Sequence, residues 1–128
     1  MAEAVRTPSF PKTKQINVRK ILWEGLDGDD SGRPVRLPKF NDKTVHIYAP
    51  TSHGSGTTIL QGSNDPKADP DHADHANAKW ETLTDALGNA ISVTGDDMFT
   101  LLESPEWIRP DQSGGSGADV AVAVTCIR

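Results

Sequence analysis

The sequence predicts an all-β domain: an antiparallel β-sandwich, jelly-roll-like, of about eight short strands with an extended N-terminal arm. Three observations predict it. Apolar residues recur at every second position in several short runs, the period of a half-buried strand, because successive side chains point to opposite faces. The runs stop at clusters of Gly, Pro, Asn and Asp, which are turn chemistry. Helical periodicity is absent at helical length, and only Asp69–Ala78 could form a short helix.

The elements follow in order. Met1–Lys14 holds Pro8 and Pro11 around Phe10, and proline removes backbone donors, so this arm is extended. Residues 15–128 then form one sandwich domain. Lys14–Trp23 reads as its first strand, and Gly25–Arg33 as a polar turn. Pro34–Leu37 is a short edge run ended by Pro38. Lys43–Ala49 is a strand with Val45 and Ile47 facing one way and His46 the other.

The stretch Thr57–Thr94 organises the middle of the chain as a meander. Its runs are Thr57–Gln61, Lys79–Thr84 (anchored by Trp80 and Leu83) and Ala90–Thr94, with Ile91 and Val93 alternating. Met98–Leu102 and a short bent strand at Pro105–Pro110 follow, then a hairpin loop at Gln112–Gly117. Asp119–Arg128 closes the fold. Val120, Val122, Val124 and Cys126 share one face and Ala121, Ala123, Thr125 and Ile127 the other, so it reads as a central strand covered on both sides.

The 128 residues suit one domain with one core. Hydrophobic content of 35% and aromatic content of 5% are low for a self-sufficient enzyme core, and suit a thin sandwich or a subunit that completes its burial against a partner. With one cysteine, Cys126, an intramolecular disulfide is impossible, which excludes a disulfide-stapled module. The N-terminus lacks an apolar signal core and no run reaches membrane-spanning length, so the expectation is a protein made and used in solution, in a cytosol.

Charge is unevenly placed. Residues 1–50 carry nine Lys/Arg and six Asp/Glu, a balance of +3; residues 51–128 carry four and twelve, a balance of −8, which gives the net −5. A basic arm on an acidic body points to an arm that docks on something negative, or simply to a surface that keeps the domain soluble. Nucleic acid is a poor partner for such a body, which repels phosphates and offers few aromatics for stacking.

Each candidate site has a plain structural reading beside it. The loop Asp65–Ala78 places Asp69, Asp71, His72, Asp74 and His75 close together, and Asp71 with Asp74, or His72 with His75, could share one face of a helical turn. Carboxylate and imidazole can ligate metals, yet no zinc spacing or calcium-loop pattern is present, so the expectation is an exposed interaction loop and no metal. His53 beside Ser52 makes no triad by spacing alone. The Gly-rich segments at Gly54–Gly56 and Gly114–Gly117 precede strands, whereas phosphate cradles need a helix N-terminus. Trp23, Trp80 and Trp107 read as core anchors or as a stacking platform for a ligand. No catalytic residue or cofactor is assigned, and an enzyme is the least favoured class.

With the strands placed, Gln61-Gly62-Ser63-Asn64-Asp65, Lys79-Trp80-Glu81-Thr82-Leu83-Thr84-Asp85 and Gly88-Asn89-Ala90-Ile91-Ser92 resemble the "GSND…W.TLTD..G.A" meander of small tailed-phage virion proteins. Pro105–Pro110 and Ser113-Gly114-Gly115 before an alternating last strand extend the likeness over about Val45–Arg128. The loop after Asp65 is longer than in that pattern, and the basic arm lies outside it. The resemblance implies a jelly-roll capsid decoration (cement) or head-fibre protein: non-enzymatic, seated on the capsid exterior of a virion assembled in a bacterial cytoplasm. Its implied partners are the major capsid protein and further copies of itself, as a dimer or trimer, with no nucleic acid and no membrane. The arm residues Arg6, Pro8, Phe10, Pro11, Lys12 and Lys14 are the expected capsid contacts. The same meander resembles discoidin-like sugar-binding sandwiches, so a glycan-binding role stays open, as does a tail or neck connector.

Overall fold

The computed structural model describes residues 5–13, 17–37 and 42–127. They form two packed antiparallel sheets, with 3-10 turns at Pro66–Ala68 and His75–Asn77 as the helical segments among the described residues. The strands are β1 (Val5–Arg6), β2 (Val18–Leu26), β3 (Ser31–Gly32), β4 (Val35–Arg36), β5 (Asp42–Tyr48), β6 (Thr57–Ser63), β7 (Glu81–Thr82), β8 (Ser92–Val93), β9 (Asp97–Thr100), β10 (Trp107–Ser113) and β11 (Val120–Ile127). The wide sheet runs β1-β3-β10-β6-β7, with β4 also on β10 and β8 also on β6; the narrow sheet runs β2-β11-β5-β9. All pairings are antiparallel except β1 with β3. The jelly-roll-like sandwich expected from the period-2 runs is therefore present, with eleven strands where about eight were expected. The additional ones include β1 and β3, two residues each, too short to carry a period.

The core lies between the sheets. Ile21, Trp23, Val45, Ile47, Val120, Val122 and Val124 point inward from the narrow sheet and meet Leu60, Ile108 and Ile91 from the wide side, all buried. Trp23 is wholly enclosed, and its indole N–H donates to the Arg33 carbonyl at 3.0 Å, so its one polar atom is satisfied inside the core.

Several elements depart from the expected bounds, each for a local reason. The first long strand continues past Trp23 to Leu26, because a bulge lets Trp23 pair with Val122 and Leu26 with Val120. Gly25 supplies the left-handed backbone (φ 71°) that this requires, and the extra residue turns both Trp23 and Leu26 inward, which strict alternation does not foresee. The segment Gly25–Arg33 is thus not all turn: it holds the end of β2 and the whole of β3. The bent strand at Pro105–Pro110 instead becomes β10, which runs on to Ser113; Pro110 stands where its neighbour on that side changes from β4 to β3.

The possible helix at Asp69–Ala78 does not form. Pro66 and Pro70 interrupt the backbone, and Asp side chains take the donors a helix would need, leaving isolated 3-10 turns. The closing strand is central in the narrow sheet, but only its Val/Cys face is covered by the second sheet. On its other face Ala121 is buried, Ala123 and Thr125 are half-buried and Ile127 is exposed. Their small size hides them among cross-strand neighbours, which imitates double coverage in the sequence.

Candidate interaction surface

The described part of the N-terminal arm lies along one edge of the sandwich. Val5 and Arg6 pair in parallel with Ser31 and Gly32, extending the wide sheet. Three residues later Ser9 exchanges backbone hydrogen bonds with Leu22 (2.7 and 2.9 Å), on the edge of the narrow sheet. The arm therefore bridges both sheets. Arg6 donates through Nε to the buried Asp30 carboxylate at 2.8 Å, and Asp30 also accepts from the Asp27 amide at 3.1 Å. Of the expected contact residues, Phe10, Pro11 and Lys12 are exposed, Pro8 is half-buried, and Lys14 lies outside the described residues. Phe10 presents 62% of its surface.

The loop 65–78 is braced by its own side chains. Asp65 caps the first 3-10 turn by accepting from the Lys67 amide, and also accepts from the Lys79 amide, each at 3.0 Å. These backbone donors hold the Asp65 carboxyl below the usual carboxylate range. Asp69 accepts from the Asp71 amide, and Asp71 pairs with Arg33 at 3.3 Å. His72 Nδ1 accepts from the Asp74 amide, while His75 Nδ1 lies 2.8 Å from the Lys67 carbonyl. Asp74 accepts from Asn77 and pairs with Lys67, which lowers its pKa. Each of these acids and imidazoles is spent on a neighbour, and no group of three or more His, Cys, Asp or Glu side chains able to hold a metal occurs among the described residues.

On the outer face of the wide sheet, two of the three tryptophans lie half-buried beneath arginines. The Arg109 guanidinium sits 4.2 Å from the Trp80 ring centre, and Arg36 sits 5.6 Å from that of Trp107. Arg109 also donates to Gln61 at 2.9 Å, and Arg36 pairs with Glu106 at 2.5 Å. Beside Trp80 and Arg109 a hollow of about 380 Å³ is lined by Val5, Ser31, His75, Ala76 and Ala78. A larger groove of about 570 Å³ runs along Gly62–Asp65, Glu81, Leu83 and Glu103–Pro105. Two of its three carboxylates are engaged: Glu103 accepts from the Thr84 amide and hydroxyl, and Asp65 from its loop, while Glu81 is exposed.

His53 meets Asp96, not Ser52. Its Nε2 is 2.7 Å from Oδ1 of Asp96, whereas Ser52 Oγ accepts from the Gly54 amide. His53 Nδ1 is buried, and among the described residues no hydroxyl or thiol bonds to it. The His53 contact, with the Ala49 amide, lowers the Asp96 pKa. Lys43 is buried at one end of the core, where Nζ donates to Ser104 at 2.6 Å beside its cross-strand neighbour Cys126. Burial pushes the Cys126 thiol upward. Spacing could not reveal these pairs. Arg6–Asp30, His53–Asp96 and Lys43–Ser104 join residues 24, 43 and 61 positions apart.

No family model and no curated protein matches this chain. Among solved structures, the SPBc2 prophage-derived protein YomS superposes with a TM-score of 0.57 at 13% identity, over 91% of this chain and 100% of that one. The Schizosaccharomyces pombe Cnp3 cupin domain superposes at 0.45 and 7% identity, over 94% of this chain and 64% of that one. KdgF from Halomonas sp. gives 0.40 and 9%, over 94% and 78%. At these identities the likeness is one of fold. Its structural neighbours thus include a prophage-derived protein.

Proposed function

We propose that this chain is a non-enzymatic structural protein of a phage virion that binds the outer surface of the major capsid shell and stabilises it. One observation supports the reading: the sandwich superposes on the prophage-derived YomS over 91% of this chain and 100% of that one. The meander motifs of phage virion proteins agree with it. In this reading the arm is the contact device. Arg6 tethers it to the body through Asp30, while the exposed Phe10, Pro11 and Lys12 offer an apolar and basic edge to acidic seams between capsid subunits. Individual contacts of this size are weak, and many symmetry-related copies supply the avidity.

The test is a copy count by cryo-electron microscopy on purified particles, with and without this chain. Copies on the order of hundreds spread over the shell, and lower heat resistance in their absence, support decoration. A few copies at a vertex or tail would assign a connector role instead. Removing residues 1–14 should empty the shell sites while the sandwich stays folded; full occupancy without the arm would overturn its assigned role.

A second reading, glycan binding, draws on the half-buried Trp80 and Trp107 on one outer face. A glycan array answered by the native chain and silent for Trp107→Ala would favour it.

A further inference from the structure

The outer face of the narrow sheet is built unlike a solvated one. An antiparallel sheet with one wet face normally alternates apolar inside with charged or strongly polar outside. Here the central strand β11 turns Ala123, Thr125 and Ile127 outward, with no charge among them, while Ala121 at the start of the strand is buried. The strand register places Leu22, Ala123, His46 and Met98 in one row across the sheet, and Met98 is 60% exposed. His46 and Tyr48 lie side by side on this face, with ring centres 4.6 Å apart and planes tilted by 37°.

Three charged residues flank β11: Lys20 and the exposed Glu24 on β2, and Asp42 on β5. Lys20 pairs across with Thr125 from β2, and Asp42 pairs across with Ile127 from β5, one outward row further along. They stand on opposite sides of the central strand, and among the described residues neither forms an ion pair within the chain. A two-fold axis lying along β11 interchanges the two flanks. It sets Lys20 of each copy beside Asp42 of the other, a little under 7 Å apart along the strands by the usual rise, within reach of a lysine stem. The same operation lays the small side chains of Ala123 and Thr125 on their own copies, so the sheets can approach more closely there than the usual ~10 Å. It also brings Met98 of one copy toward the edge where Ser9 is bonded to Leu22 of the other, next to the exposed Phe10.

We infer that this face is the contact between two copies of the chain, packed sheet on sheet about a two-fold axis along β11. Four strands at ~4.8 Å spacing and six residue steps give about 20 by 20 Å of face per copy, roughly 800 Å² for the pair before side-chain relief and rim are added. That core area is below the about 1,000 Å² that a stable interface clears, so the dimer is weak in free solution and strengthens where copies are held side by side. The inference does not rest on the capsid reading, because it concerns the free protein.

Sedimentation velocity of the full chain, from a few micromolar to several hundred micromolar, reads the association directly. The expected result is a reversible monomer–dimer equilibrium. Lys20→Glu sets like charges together at both flanks and should raise the dimer Kd about tenfold. Asp42→Lys should act alike, and the double variant Lys20→Glu/Asp42→Lys should restore the wild-type Kd. Thr125→Arg, at the centre of the face, should abolish the dimer while thermal melting by circular dichroism still shows a folded chain. A chain that stays monomeric throughout overturns the proposal. So does a dimer indifferent to both Lys20→Glu and Thr125→Arg, or one that the double variant fails to restore. Binding of a different protein by this face, without self-association, overturns it as well.

Discussion

Arg6 and Asp30 lie 24 residues apart in the chain and 2.8 Å apart in the fold, with the carboxylate only 8% exposed. The pair is the charged fastener of the arm, set beside the two-residue β1–β3 ladder. Arg6→Ala leaves a buried carboxylate without its cation and should lower stability by about 1–2 kcal/mol, a moderate figure because Arg6 itself is partly exposed. Urea titration checks the magnitude. Hydrogen exchange at the Arg33 amide, which donates to the Arg6 carbonyl at 2.9 Å, should accelerate selectively, and unchanged exchange would mean that the arm is held by its backbone bonds alone.

The tryptophans separate by environment. Trp23 is wholly buried, so Trp23→Ala should cost about 3–5 kcal/mol. Trp80→Ala and Trp107→Ala, on the outer face, should each cost about 1 kcal/mol or less. Three parallel denaturation curves measure this, and equal losses would contradict the assignment of one core and two surface indoles.

This division shows how much was legible in the sequence. The strands around Ile21, Val45, Leu60 and Val122 announce themselves by period, because a sandwich core demands it. The alternation also identifies His46 as outward-facing. It holds at Ile21 and Trp23 and fails at Leu26, where the Gly25 bulge changes the count, and at β11, where alanine and threonine on the outer face look like core. The candidate loop 65–78 was visible as a cluster of acids and imidazoles. Its real work, capping and bracing, follows from backbone donors that a residue list does not display. Neither Arg109 on Trp80 nor Asp96 on His53 leaves any local mark, since both are products of strand pairing and loop packing.

Gly32 occupies a crowded position between the sheets. A Cβ there would stand 2.4 Å from Pro110 Cδ and 2.7 Å from Trp23 Cδ1, neither of them the end of a flexible chain. Gly32→Ala should therefore destabilise by about 1–3 kcal/mol or more, through overpacking and not through lost backbone freedom. The denaturation midpoint reports it. A neutral outcome would require β3 to shift away from β10, detectable as a lost amide contact between Gln112 and Asp30.

Acid should loosen the loops before the core. Asp65, Asp74, Asp96 and Asp119 all have carboxyl pKa values depressed below 3.8, chiefly by hydrogen bonds to the charged form. A depressed folded pKa contributes stability that is complete above the unfolded value and is lost as pH falls through the folded one. Stability from these groups should hold from neutrality to about pH 5 and decline below about pH 4. Urea midpoints measured down that range test it. In Asp119→Asn, which weakens the cap on the Thr51 and Ser52 amides, the acid-induced loss should be smaller than in the wild type.

Cys126 offers a probe of opening. The thiol is fully buried at the end of the core, and burial raises its pKa, so the reactive thiolate is scarce and shielded. Native protein should react with a thiol reagent at neutral pH far more slowly than the unfolded chain, in which labelling should be immediate. Because Lys43 faces Cys126 across the β5–β11 ladder and is tied to Ser104, cutting that tie should free this end of the sandwich first. Ser104→Ala should accelerate Cys126 labelling with little change in the global urea midpoint, the signature of local opening. Acceleration matched by an equal fall in the midpoint would mean that labelling proceeds only through global unfolding, and that Ser104 does not latch this corner.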